Sequence, residues 1–161
     1  MTPNRFLPHV LILPEDDANR ELVVGFLLDI SLSRYTIDFL EVAGGWVKVL
    51  DRFESYEVSG MRKYPKRFMI LLLDFDNDAK RLGLAKGRIP QDLAERVFIL
   101  GSLSDPESLR RAGLGKPEEI GLALAKDCRE GTNVVWGHAL LRHNAGEVER
   151  LREHVRPILF A

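Results

Sequence analysis

Phe68-Met69-Ile70-Leu71-Leu72-Leu73-Asp74-Phe75-Asp76-Asn77-Asp78 is the stretch that decides the fold. Six apolar residues run without polar alternation, which predicts a central strand covered on both faces. Asp74 stops the run, and acids then recur at every second position. If the chain stays extended there, Asp74, Asp76 and Asp78 point to one side. The alternative is strand-end and loop acids, with Asp78 capping a short helix.

Working outward, His9-Val10-Leu11-Ile12-Leu13 is a second apolar run, closed by Pro14 and the acids Glu15, Asp16 and Asp17. It predicts a buried strand, with Asp16 or Asp17 capping a helix whose buried face is Leu22, Val23, Phe26, Leu27 and Ile30. Residues 36–42 predict another strand, broken by Gly44-Gly45 before the helix WVKVLDRF. Residues 75–90 predict a loop with a short helix, and residues 91–96 a helical turn. Val97-Phe98-Ile99-Leu100 predicts a fourth strand. Beyond it the chain is helical. Asp105-Pro106 and Lys116-Pro117 start helices, residues 132–143 predict a short strand or helical turn, and Asn144 with Glu147 has capping-box spacing. Pro157 is expected to end that last helix. Alternation of strand and helix predicts an α/β, three-layer sandwich around a mostly parallel sheet of about four strands. The chain reads as a single domain over 1–161, with a core over about 9–102 and a helical C-terminal extension over 103–161.

Composition bounds the function. The 161 residues carry a formal net charge of -1, so the surface is not strongly basic on average. The single cysteine, Cys128, excludes an internal disulfide and lacks the partners of a structural zinc site. No apolar run approaches the ~20 residues of a membrane span, and the start lacks a secretory signal, so the expectation is a cytoplasmic protein without a membrane partner.

In a parallel sheet, ligands bind beyond the carboxyl ends of the strands. Here those ends carry Glu15, then Gly44 and Gly45 as candidate phosphate or nucleic-acid binders, then Asp74, Asp76 and Asp78. Carboxylates on adjacent ends approach closely only if a cation offsets their repulsion or one of them takes a proton. Hard oxygen donors suit Mg²⁺ or Mn²⁺.

This pattern, carried by PEDDANRELV, EVAGGWVKVL and ILLLDFDND, resembles the Toprim domain of topoisomerases, primases and OLD-type nucleases. The resemblance implies Mg²⁺-dependent phosphodiester cleavage or nucleotidyl transfer on nucleic acid. It makes Glu15 a general acid/base or metal-linked residue, and Asp74 and Asp76 metal ligands. Asp78 is an outer ligand or a helix cap. The chain departs from many Toprim domains in placing Asp16, not glycine, after the glutamate.

Part of the same stretch resembles the phosphorelay receiver domain, with Asp16, Asp17, Asp74 and Ser102 in its acidic, phosphoacceptor and hydroxyl positions. The departures are a long interval from Gly45 to Asp74 and the absence of a lysine ending a fifth strand, since Lys116 precedes a helix-start proline. A third reading is a catalytically inactive relative that binds a partner protein or a second copy of itself.

The C-terminal segment offers Arg142, His143 and Asn144 as phosphate binders, against a solvated helix surface. His138 and His143 stand five apart, a poor spacing for one helix face. Trp46 and Trp136 are expected in the core. Arg62, Lys63, Lys66 and Arg67 form the densest local basic patch, on a predicted loop.

Overall fold

Each strand alternates its side chains between two apolar layers. The computed structural model describes residues 2–161. Its strands are β1 (His9–Pro14), β2 (Ile37–Phe39), β3 (Arg67–Leu72) and β4 (Val97–Leu100). They form one parallel sheet in the order β2-β1-β3-β4. Val10, Ile12, Ile70, Phe98 and Leu100 enter one core, and Leu11, Leu13, Met69, Leu71, Val97 and Ile99 enter the other. Continuous apolar runs are what burial on both faces requires.

The first core is closed by α1 (Asp17–Phe26), α5 (Pro106–Arg111), α6 (Pro117–Glu130), α7 (Ala145–His154) and α8 (Arg156–Leu159). The second is closed by α2 (Trp46–Arg52), a π-helical turn over Phe53–Glu57, α3 (Val58–Lys63), α4 (Lys80–Gly87) and a 3₁₀ turn over Gln91–Arg96. The expected three-layer α/β architecture is therefore observed.

Some elements differ from expectation. β2 keeps only three residues, because the chain leaves the β1 ladder after Leu40 bonds the Ile12 carbonyl. Ile30, expected on the buried face of the first helix, is fully exposed because that helix ends at Phe26. Part of the predicted basic loop is helical, since α2 continues through the π turn into α3 as far as Lys63. Residues 132–141 are turns. α7 ends at His154, and Pro157 lies in the first turn of α8, where its missing N–H costs nothing.

Asn144 and Glu147 do not form a capping box. Asn144 makes no side-chain cap bond. Its amide instead accepts from the Gly101 N–H at 3.1 Å and donates to the Gly101 carbonyl at 2.8 Å. Glu147 accepts the Ile99 N–H at 2.9 Å. One helical turn thus takes up the outward N–H groups of Ile99 and Gly101, at the edge of β4 where a fifth strand would otherwise pair.

α1 and α6 touch backbone to backbone. A Cβ on Gly121 would stand 2.0 Å from the Leu22 carbonyl oxygen, and one on Gly25 2.0 Å from that of Glu118. Gly121→Val is expected to cost about 3 kcal/mol by overpacking, read as a lower urea midpoint. Gly146→Ala, where the added carbon meets open space, should leave the midpoint unchanged or raise it. Cys128 is buried in the first core, and burial pushes its thiol up to about 11, which makes it inert packing.

Candidate metal centre

The chain runs from β1 to β2 on one side, then crosses to β3 on the other. The crevice between the carboxyl ends of β1 and β3 is the switch point of the sheet. Glu15 follows β1 and its N–H donates to the Leu72 carbonyl at 2.8 Å, so its side chain leaves the sheet beside the end of β3. The Asp74 backbone N–H donates to Glu15 Oε2 at 2.6 Å. Carboxylate oxygens of Glu15, Asp16 and Asp74 all lie within 4.8 Å of one another.

Asn19 organises this group. Asp16 is the N-cap of α1 and accepts the Asn19 N–H at 3.0 Å. The Asn19 side-chain amide donates to Asp16 Oδ1 at 2.9 Å and to Asp74 Oδ1 at 3.1 Å. Asn19 is fully buried, and its own Oδ1 has no hydrogen-bond partner. The three carboxylates of Glu15, Asp16 and Asp74 are hard donors of the kind that suit Mg²⁺ or Mn²⁺. Burial pushes the Asp74 carboxyl up to about 7, opposed by the Asn19 hydrogen bond and reinforced by Glu15, Asp16 and Asp105. Burial also raises Glu15, against the Asp74 N–H that lowers it. Both shifts arise first from burial and second from neighbouring carboxylates, and a bound cation would oppose both by favouring the charged forms.

Asp76 and Asp78 stand outside this group, contrary to the extended-chain expectation. Asp76 and Asn77 adopt positive φ of 50° and 56°, which turns the chain at once after Phe75. Asp76 is exposed and faces Arg81 at 3.5 Å. Asp78 lies one residue before Ala79, the N-cap of α4, and its Oδ1 accepts the Lys80 N–H at 2.9 Å, so it takes up a first-turn donor without being the cap itself. Asp17 is also turned outward, 3.8 Å from Arg20.

The glycine turn lies beside Glu15, with the Gly44 N–H donating to the Glu15 carbonyl at 2.8 Å and Gly45 preceding α2. His143 is occupied with packing. Its Nε2 pairs with the Gly101 carbonyl at 2.8 Å and its ring meets Phe75 edge-on at 5.0 Å. Burial lowers its pKa, so it is a neutral ring rather than a cation for phosphate. Arg142 is exposed. Ser102, at the end of β4, is buried and its Oγ has no partner.

Two residues at the site were not among the candidates read from the sequence. Arg81 donates to the Asp74 carbonyl at 2.7 Å and lies 4.5 Å over the Trp46 ring, holding the loop after β3. Only the fold brings it there. Asn19 had a weak signal, since Asp16 and Asn19 stand three apart, as a cap and its target do.

Comparison with protein-family models, curated proteins and solved structures finds no match to this chain. Among the described residues, no helix is long and apolar enough to cross a membrane.

Proposed function

We propose that the chain is a Toprim-like domain that uses Mg²⁺ or Mn²⁺ to cleave or transfer phosphodiesters of nucleic acid. The observation that supports this reading is the Glu15 carboxylate standing against the end of β3 beside Asp74. Asp74, Glu15 and Asp16 would hold the cation, with Asp16 taking the place that the resemblance gives to Asp76. A bound divalent cation polarises a phosphodiester and lowers the pKa of water. Glu15, whose pKa is raised by burial, is the group suited to move a proton to or from the reacting oxygen. Asn19 holds Asp16 and Asp74 in register, and Arg81 fixes the backbone that carries Asp74.

The test is cleavage of single- and double-stranded DNA and RNA with Mg²⁺ or Mn²⁺. Asp74→Ala and Glu15→Gln are each expected to lower the rate at least about a hundredfold, the low end of what general acid–base groups contribute. Activity that survives Asp74→Ala would remove the cation site from the mechanism. No cleavage under any condition would favour an inactive binding module.

A second reading is favoured by one observation, the buried and unpartnered Ser102 Oγ on the strand next to Asp74. With Asp16 in the acidic group, it matches the receiver arrangement, in which Asp74 accepts a phosphoryl group. Among the described residues there is no fifth strand to deliver the receiver lysine. Incubation with acetyl phosphate and Mg²⁺, followed by mass spectrometry, separates the readings. A phosphoryl adduct on Asp74 supports the second and its absence supports the first.

A further inference from the structure

At the opposite end of the sheet, where β1 and β3 begin, cations gather around one aromatic ring. The Arg5 and Arg67 guanidinium carbons lie 5.3 and 4.8 Å from the Tyr64 ring centroid, and Lys63 Nζ lies 5.5 Å from it. Arg5 also donates to the Tyr64 hydroxyl at 2.9 Å. Lys66 is exposed, and its carbonyl takes the His9 N–H at 3.2 Å, which places it at the same sheet end. Phe6 packs edge-on against Tyr64 at 5.9 Å yet is 72% exposed, so its ring presents a free apolar face beside the cations.

Like charges collected this closely repel one another, and an exposed ring offsets only part of that cost. Carboxylates do not close the group. The Arg67 Nε–H donates to His9 Nε2 at 3.0 Å, an imidazole whose pKa burial lowers, so the partner of that guanidinium is neutral. By contrast, neighbouring Arg62 is paired with Asp92 at 3.0 Å and serves a structural role. Burial and the nearby Arg5 both lower Arg67, while Glu57 partly offsets them. In a chain of net charge -1, this is a local excess of positive charge left open to an external anion.

We propose that Arg5, Lys63, Lys66 and Arg67, with Phe6, form a binding surface for a single strand of nucleic acid. The mixture fits a ligand that alternates charge and flat apolar surface. Phosphates satisfy the cations, and a base stacks on Phe6. The choice of nucleic acid over another polyanion rests on the phosphodiester reading of the acidic site. The surface is separate from that site, because Arg67 opens β3 and Asp74 lies just past its other end, up to about 23 Å away at ~3.3 Å per residue. It would hold a remote stretch of the strand whose other part reaches the carboxylates.

The test reads binding in EDTA, so that it does not depend on cleavage. Fluorescence anisotropy of labelled oligo(dT) with the full chain is followed from about 50 to about 200 mM salt. The expected result is binding that weakens steeply with salt. The double variant Lys63→Glu/Lys66→Glu should weaken it at least tenfold at low salt and flatten the log–log slope by about 1.4, at ~0.7 per lost phosphate contact. Phe6→Ala should weaken it by about tenfold without changing the slope. These three side chains are exposed, and unchanged melting curves would show that the variants fold. Three results would overturn the proposal. They are no oligonucleotide binding at low salt, binding indifferent to the double variant, and binding only to phosphatidylserine vesicles.

Discussion

Asp74→Asn is expected to raise the melting temperature of the cation-free protein at about pH 8, and to abolish the stabilisation that Mg²⁺ gives the wild type. The two effects have one cause. Asp74 is buried among Glu15, Asp16 and Asp105, and its folded-state carboxyl titrates at about 7 against an ordinary 3.8. Between these values the folded protein holds a proton that the unfolded chain has released. Stability from this group is therefore full below the ordinary value, declines as the pH rises through 7, and is level above it. Asparagine keeps an acceptor for the Asn19 amide and removes the charge. A cation at a hundredfold excess over its Kd adds about 2.7 kcal/mol to the wild type, or about 5–10 °C in a domain of this size. Because cation and proton compete for the same oxygens, that gain should be smaller at about pH 5.5 than at about pH 8. Differential scanning fluorimetry with and without Mg²⁺ at both pH values checks all of this. An asparagine variant that melts lower without cation, or still gains from Mg²⁺, would show that Asp74 is neither strained nor a ligand.

The largest stability loss is expected at Asp127, far from the acidic site. This buried carboxylate accepts four hydrogen bonds. They come from Thr132 Oγ1 at 2.6 Å and from the N–H groups of Val134, Val135 and Trp136 at 3.2, 2.7 and 3.1 Å. It ties the turn after α6 to that helix and sets Trp136 into the first core. Alanine would strand several donors at once, which is expected to cost about 3–4 kcal/mol and lower the melting temperature by about 10 °C. Asparagine retains one acceptor oxygen and should lose less. A loss under about 1 kcal/mol for Asp127→Ala, the worth of a single ordinary hydrogen bond, would mean that water replaces the carboxylate.

The legible parts of this fold were those where one physical demand dominates. A strand buried on both faces must be apolar throughout, so β1, β3 and β4 stood out, and their parallel direction followed from helical crossovers, whereas the order β2-β1-β3-β4 is visible only in the structure. The meeting of Glu15 with Asp74 followed from strand ends at a switch point. Asp76 and Asp78 were misplaced because alternation after a strand assumes that the strand continues. Asn77, a residue tolerant of the left-handed region, was the available warning. Asn144 and Glu147 have the same spacing whether they cap a helix or reach a sheet edge. Only the position of β4 decides between the two. Arg81 joins the site through tertiary packing against Trp46, which no local pattern encodes.

The side-chain seal on β4 has a consequence for how copies of this protein meet. An open strand edge is a template on which another chain can add its own strand, in ordered dimers or in fibrils. Asn144 presents its amide to Gly101 much as an incoming peptide group would, and Glu147 occupies the next donor. That template is partly occupied from within the molecule, at the Ile99 and Gly101 donors. The opposite edge, β2, offers only three residues. Sheet-to-sheet assembly is thus hindered on one flank and short of length on the other, which favours helix faces and loops for any self-association.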